Sequence, residues 1–179
     1  MTESAIIQHI KSGQKEEYRH LVEKYYERIF YTALGFLHCK EDAEEITEDV
    51  FIKAYYAIPT FRGDAAFSTW IYRIAVNLCK NQLKKRRLHN AIMDISTLNF
   101  LADKSANPQK ALENKDESEL IEKAISLLPP KQNTAFVLSK YNELSQKEIA
   151  SIMKISEGAV EQLLVRAKNN LRNYLVKRL

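Results

Sequence analysis

The 179-residue chain is 45% hydrophobic and 28% charged, with only four glycines and four prolines. This composition is typical of a soluble globular protein and, with almost no alternating strand-like runs, favours an all-α fold. No apolar run approaches the ~20 residues that a membrane-spanning helix requires, and the N-terminus lacks a signal-peptide layout, so no membrane insertion is expected. The two cysteines give no disulfide framework, which favours a cytoplasmic location.

Charge is distributed unevenly along the chain, although its net value is only +4. Counting Lys and Arg against Asp and Glu, the net charge is −4 over residues 1–60, +6 over 61–89, −3 over 90–130 and +5 over 131–179. The two basic segments predict two contacts with nucleic acid, and the acidic segments offer surface to another partner.

The first half of the chain has the apolar spacing of four helices. A short helix is predicted to stop before Gly13, and a long amphipathic helix follows from Tyr18. A third helix begins at Glu41, ends at Pro59 and carries a strongly acidic outer face, which taken alone indicates ordinary solubility. In the fourth helix, capped by Ser68 or Thr69, the apolar residues Trp70, Ile74 and Leu78 are predicted to face a core.

A loop and a basic face accompany this fourth helix. The loop contains Phe61, Arg62, Gly63 and Asp64, with a second aromatic residue, Phe67, at its other edge. Four polar or basic side chains share one helical face: Arg73, Asn77, Lys80 and Lys84. Because aromatic rings stack on bases and cations neutralise phosphate, these features predict a nucleic-acid surface. A solvated basic face on an amphipathic helix is the equally weighted alternative.

Residues 89–117 have no sustained period and contain Asn107-Pro108, which predicts a flexible linker between two small helical domains, 1–88 and 118–179. In the second domain, Ser145 and Glu148 form a capping box that starts a short helix. Ser156 caps a longer helix after a tight turn. This order predicts a helix-turn-helix, with Lys154 in the left-handed turn position at a cost of roughly 1 kcal/mol.

The second helix of this motif has an outer face suited to reading base edges. Its predicted exposed residues are Glu161, Gln162, Val165, Arg166 and Asn169. Gln162 and Arg166 can form paired hydrogen bonds with bases, and Val165 can contact a thymine methyl group. A helical hairpin that binds no DNA is the alternative at this point.

Two segments in this order resemble the extracytoplasmic-function sigma factors. The run DAEEITEDVFIKAYYAIPTFRGDAAFSTWIYRIAVNLCKN, residues 42–81, resembles their second conserved region. The run LPPKQNTAFVLSKYNELSQKEIASIMKISEGAVEQLLVRAKNNLR, residues 128–172, resembles their fourth. The resemblance implies a bacterial initiation factor that recruits core RNA polymerase to promoter DNA.

The resemblance also implies roles for named residues. An acidic set is expected to dock on the clamp coiled coil of the largest polymerase subunit: Asp42, Glu45, Glu48 and Asp49. The loop Phe61, Arg62, Gly63, Asp64 and Ala65 is expected to capture a flipped base of the minus-ten element, supported by Arg73, Asn77, Lys80 and Lys84. The minus-thirty-five element is expected to meet Ser156, Glu161, Gln162, Val165, Arg166 and Asn169. Contact with the polymerase flap and a regulatory anti-sigma partner are further expectations from the family. Glu48 stands where the family often has glutamine.

Two other classes of protein are alternatives to this interpretation. The four histidines show no metal-ligand spacing, and there is no phosphate-binding glycine loop or nucleophile motif, so neither an enzyme nor a bound metal or cofactor is expected. A helix-turn-helix regulator with a helical sensing domain explains residues 145–172 but gives the acidic helix and the aromatic loop no purpose. Dependence on polymerase separates the two, because a regulator binds its operator alone.

Overall fold

The computed structural model describes residues 2–98 and 115–178, and within these ranges every regular element is helical. The N-terminal helices are α1 (Glu3–Lys11), α2 (Tyr18–Leu37), α3 (Lys40–Ala57) and α4 (Phe67–Leu98). The C-terminal helices are α5 (Lys115–Ser126), α6 (Pro130–Tyr141), α7 (Gln146–Met153) and α8 (Glu157–Val176). The all-α prediction is confirmed.

The N-terminal core lies among α2, α3 and α4. Leu21 and Ile29 of α2, Val50 of α3 and Ile71 of α4 are completely buried. The apolar residues at helical spacing in α3 are all buried: Ala43, Ile46, Val50 and Ala54. Gly13 follows α1 with a φ of 102°, the left-handed conformation expected of a residue that ends a helix.

The predicted core face of α4 was partly wrong. Trp70, Ile74 and Leu78 are only partly buried at the edge of the core, whereas Ile71, Ala75 and Cys79 are completely buried. The reason is that α4 packs on two sides, against α2 and α3 and also against α7. A helix with two packed sides buries more than one apolar row, so periodicity alone does not identify the more deeply buried row.

Helix α4 extends beyond the point where the sequence pattern breaks. It continues to Leu98, because residues 89–98 contain neither proline nor glycine to end it. The rest of the predicted linker, up to the start of α5 at Lys115, lies outside the described residues. The proposed domain boundaries therefore stay predictions.

The C-terminal helices form the predicted helix-turn-helix. Ser145 Oγ accepts a hydrogen bond from the Glu148 backbone N–H at 3.3 Å, and Glu148 Oε2 accepts one from the Ser145 N–H at 2.9 Å, which completes the capping box. Ser156 caps α8 through its hydroxyl. Between the helices Lys154 has a φ of 56°, so the turn takes the left-handed form expected from the sequence.

The two helical domains pack closely against each other. Gly35 of α2 lies so near α6 that a Cβ atom added there would be 2.9 Å from both Tyr141 Cδ2 and Val137 Cγ1. Beside this contact, the Asn142 amide donates to Thr32 Oγ1 at 2.8 Å and accepts a hydrogen bond from the Tyr72 hydroxyl at 3.2 Å. Asn142 thus joins α2 and α4 to the C-terminal domain.

Candidate nucleic-acid and polymerase interfaces

Helix α8 presents the predicted recognition face to solvent. Val160 and Ala167 are completely buried and fix the rotation of the helix about its axis. The five residues predicted to lie outside, Glu161, Gln162, Val165, Arg166 and Asn169, are all exposed. The side-chain types on this face can hydrogen-bond to base edges and contact a thymine methyl group.

The predicted minus-ten loop is built on an aromatic cluster. The Phe61 ring lies 5.0 Å from the Trp70 ring and 6.0 Å from the Phe67 ring, measured between centroids. Arg62, Gly63 and Asp64 are exposed beyond it, whereas Ala65 is half-buried. The Phe61 ring therefore packs against α4 and supports the loop, whose exposed part is polar.

The basic face of α4 meets the helix-turn-helix at Arg73, which is half-buried, whereas Asn77 and Lys80 are exposed. Arg73 Nη2 donates a 2.6 Å hydrogen bond to the Ser151 carbonyl oxygen of α7. Arg73, Asn77 and Lys80 line a cavity of about 340 Å³ together with Lys131 and Lys154 of the C-terminal domain. Lys84, further along α4, is exposed.

The cations in this cavity face one another. Burial lowers the pKa of Lys80, and the nearby Lys131 ammonium lowers it further. A cleft that holds basic groups from both domains attracts anions. Lys131 and Lys154 were not predicted as members of this cluster, because nothing in their local pattern indicates that α4 lies beside them.

The predicted polymerase-binding face of α3 contains two kinds of carboxylate. Asp42 forms an ion pair with Arg86, whose guanidinium also donates to the Leu37 carbonyl oxygen at 3.3 Å. Asp42 thus holds the start of α3 against α4. Glu45, Glu48 and Asp49 are exposed and carry the free negative charge of this face.

Comparisons with known proteins match this arrangement. Residues 21–89 match the family described as Sigma-70 region 2, and residues 118–171 match Sigma-70, region 4. The chain is 30% identical to the ECF RNA polymerase sigma-E factor of Escherichia coli K12, over 97% of this chain and 94% of that protein. The chain belongs to the extracytoplasmic-function sigma factors.

Another relative and two solved structures agree with this family. The RNA polymerase sigma-H factor of Pseudomonas aeruginosa is 31% identical, over 91% of this chain and 88% of that protein. The fold resembles CnrH in its complex with the cytosolic domain of CnrY, with a TM-score of 0.72, 21% identity and coverage of 97% and 96% of the two chains. It also resembles the sigma factor RpoE of Bartonella quintana in complex with the anti-sigma factor NepR, with a TM-score of 0.64, 20% identity and coverage of 89% and 97%.

Membership of this family assigns the general function. An extracytoplasmic-function sigma factor is a DNA-binding initiation factor that directs core RNA polymerase to promoters. Because one chain contains both regions, the alternative of a regulator that works without polymerase is not favoured. Among the described helices, none combines the length and apolarity needed to cross a membrane.

Proposed function

We propose that α8 reads the minus-thirty-five element through Gln162, Val165, Arg166 and Asn169, with Glu161 restricting the choice of base. The observation that carries this proposal is the fixed rotation of α8, which buries Val160 and Ala167 and leaves the opposite face free. In a helix-turn-helix such a face lies in the major groove, where the N-terminal residues of the helix contact base edges. Ser156, whose hydroxyl caps α8, lies where a phosphate oxygen approaches the exposed N–H groups of the first turn.

We further propose that the loop and α4 open the minus-ten element. Arg62, Gly63, Asp64 and Ala65 form the rim that meets an extruded base, while Phe61 supports that rim from the aromatic cluster below it. Arg73, Asn77, Lys80 and Lys84 then guide the strand along α4. Base extrusion costs a few kcal/mol, which stacking and hydrogen bonding in a pocket can offset.

We also propose that the two domains separate when the factor binds a promoter. The Arg73 guanidinium cannot donate to the Ser151 carbonyl oxygen and contact DNA through the same N–H at once. The cavity beside it is lined from both domains, so α7 limits access to α4 at Arg73, whereas Asn77 and Lys80 are exposed. On this proposal the packed arrangement is a closed form of the factor, and the form on the promoter is open.

The acidic face of α3 is proposed to bind the clamp coiled coil of polymerase through Glu45, Glu48 and Asp49, and the C-terminal domain to contact the flap. Asp42 contributes by holding α3 in place, which its ion pair with Arg86 supports. We infer that the protein works in the cytoplasm, where its polymerase is, and acts without a catalytic centre of its own. An anti-sigma partner is proposed because both solved structures above were determined in complexes, one of them with an anti-sigma factor.

Run-off transcription on genomic promoter fragments tests the proposal. Purified core polymerase is assayed with and without the protein, and the expected result is a set of start sites that appear only when both are present. Binding of the protein alone to duplex fragments is measured in parallel. Tight, specific binding without polymerase and no dependent start site on any fragment would support the regulator alternative instead.

A further inference from the structure

A cavity of about 340 Å³ lies between α1 and the predicted minus-ten loop. Its loop wall includes Phe61 and Arg62, and its helix wall includes Glu3, Ser4, Gln8 and Lys11. This volume lies within the range of about 300–1,000 Å³ found for small-molecule sites. Helix α1 precedes the segment that matches Sigma-70 region 2, which begins at residue 21.

The helix wall is held firmly in place. Glu3 accepts hydrogen bonds from Lys24 Nζ at 2.6 Å and from the Tyr25 hydroxyl at 2.5 Å. Burial alone would raise the pKa of Glu3, but these two bonds lower it overall, so its carboxylate stays ionised and keeps α1 docked on α2. The buried residues Ile6 and Ile10 anchor the same helix to the core.

The loop wall is tied directly to α1. Lys11 Nζ donates a 2.6 Å hydrogen bond to the Phe61 carbonyl oxygen. Below that carbonyl, the Phe61 ring packs on Phe67 and Trp70. The position of the loop therefore depends on α1 as well as on α4.

The two walls differ in chemistry. The loop wall provides aromatic surface and the Arg62 cation, whereas the exposed Gln8 amide and Ser4 hydroxyl on α1 provide hydrogen-bond donors and acceptors. An unpaired nucleobase has an apolar face and a polar edge, and pockets for extruded bases pair stacking with hydrogen bonds to that edge. A glutamine amide can donate and accept at once, which suits it to discriminate among bases.

We propose that α1 is a specificity-determining wall of the minus-ten base pocket, with Gln8 reading the edge of the extruded base and Ser4 assisting. The proposal rests on the proposed function of the loop and adds to it a helix outside the matched region. Glu3 and Lys11 are positioning residues in this arrangement, because one docks α1 and the other ties the loop to it.

The test uses the complete holoenzyme and a promoter identified by run-off transcription. Each minus-ten position is changed in turn to all four bases, and initiation is measured with the wild-type protein, Gln8→Ala and Gln14→Ala. Gln14 is exposed, carries the same side chain and does not line the cavity, so it is the matched control. Alanine favours the helix more than glutamine does, so the Gln8 variant is expected to fold.

The expected result is that Gln8→Ala loses base preference at a single minus-ten position by about 5- to 150-fold, while Gln14→Ala behaves as the wild type. Unchanged preferences in Gln8→Ala at every position would overturn the role of α1 and leave the sigma-factor function intact. A uniform loss on all sequences would also overturn it, because a reader of one base affects one position. Absence of any polymerase-dependent start with the wild-type protein would instead refute the proposed function itself.

Discussion

The contact at Gly35 allows the closed form to be weakened without changing any proposed DNA or polymerase contact. In Gly35→Ala, the new Cβ would lie 2.9 Å from Val137 Cγ1 and from Tyr141 Cδ2, closer than packed carbon atoms approach. Val137 is completely buried and its branched side chain cannot turn away freely. The two domains must therefore shift apart or accept an overpacked interface.

Overpacking of this kind costs about 1–3 kcal/mol. Within one domain the substitution stabilises α2 by up to ~1 kcal/mol, because alanine favours a helix more than glycine. The penalty falls on the closed form alone, so the ratio of open to closed molecules is expected to rise by about 5- to 150-fold.

Fluorescence energy transfer measures this shift in the free protein. Dyes are attached at Tyr56→Cys on α3 and Val176→Cys on α8, which are highly exposed positions in the two domains, with Cys39 replaced by serine. Gly35→Ala is expected to lower the transfer efficiency. Affinity for single-stranded minus-ten DNA is expected to rise as well, because Arg73 is released from Ser151 in the open form.

Gly158→Ala is the matched control, since an added Cβ there meets nothing within 4 Å. It should leave transfer efficiency at the wild-type value. Circular dichroism checks that the helices are intact in both variants. Unchanged transfer efficiency and unchanged DNA affinity in Gly35→Ala would refute the idea that packing of α2 on α6 holds the factor closed.

The other predictions concern the proposed contacts and one cap. Arg166→Ala is expected to weaken minus-thirty-five-dependent initiation by about 5- to 150-fold on the cognate base only, as measured with a set of upstream variants. Lys168 is an exposed cation of α8 that can neutralise phosphate, so Lys168→Ala should reduce initiation evenly across the same variants. Glu48→Lys is expected to weaken binding of core polymerase in a pull-down, and more at low than at high salt, because salt screens exposed charges. Glu27→Lys, which makes the same change on the exposed surface of α2, is the control. Equal loss of binding in both variants would argue against the α3 contact. Ser145→Ala should cost about 1 kcal/mol of stability near neutral pH, seen as a fall of roughly 2–4 °C in the melting temperature. Hydrogen bonds from Ser145 lower the pKa of Glu148, so the ionised carboxylate contributes to the stability of the cap. The stability difference between Ser145→Ala and the wild type should therefore shrink as the pH falls below the ordinary glutamate value of 4.5. A stability difference independent of pH would mean that the carboxylate does not contribute.

Local signals in the sequence predicted most of the elements. The capping box at Ser145, the cap at Ser156 and the left-handed turn at Lys154 each depend on a few neighbouring residues, so they are readable without the fold. The exposed face of α8 was equally predictable, because a helix with one buried row leaves the opposite row outside. The acidic face of α3 followed from the same rule.

Contacts between distant segments were not predictable. The apolar spacing in α4 did not show that its most buried residues are Ile71, Ala75 and Cys79, because a second packing partner, α7, contacts its other side. Nothing near Gly35 indicates that α6 passes within contact distance, and nothing in α1 indicates that Lys11 holds the Phe61 carbonyl, 50 residues away.

The sequence by itself therefore determined most of the helices, the caps of α7 and α8, the helix-turn-helix and the family, since these depend on short-range order along the chain. The cap expected at Ser68 or Thr69 was wrong, because α4 begins at Phe67 and both residues lie inside it. Only the tertiary structure decided that Arg73 of α4 is hydrogen-bonded to α7 and that α1 forms a wall of the loop cavity. Both depend on how rigid helices pack, which is set by the shapes of surfaces that lie far apart in the sequence.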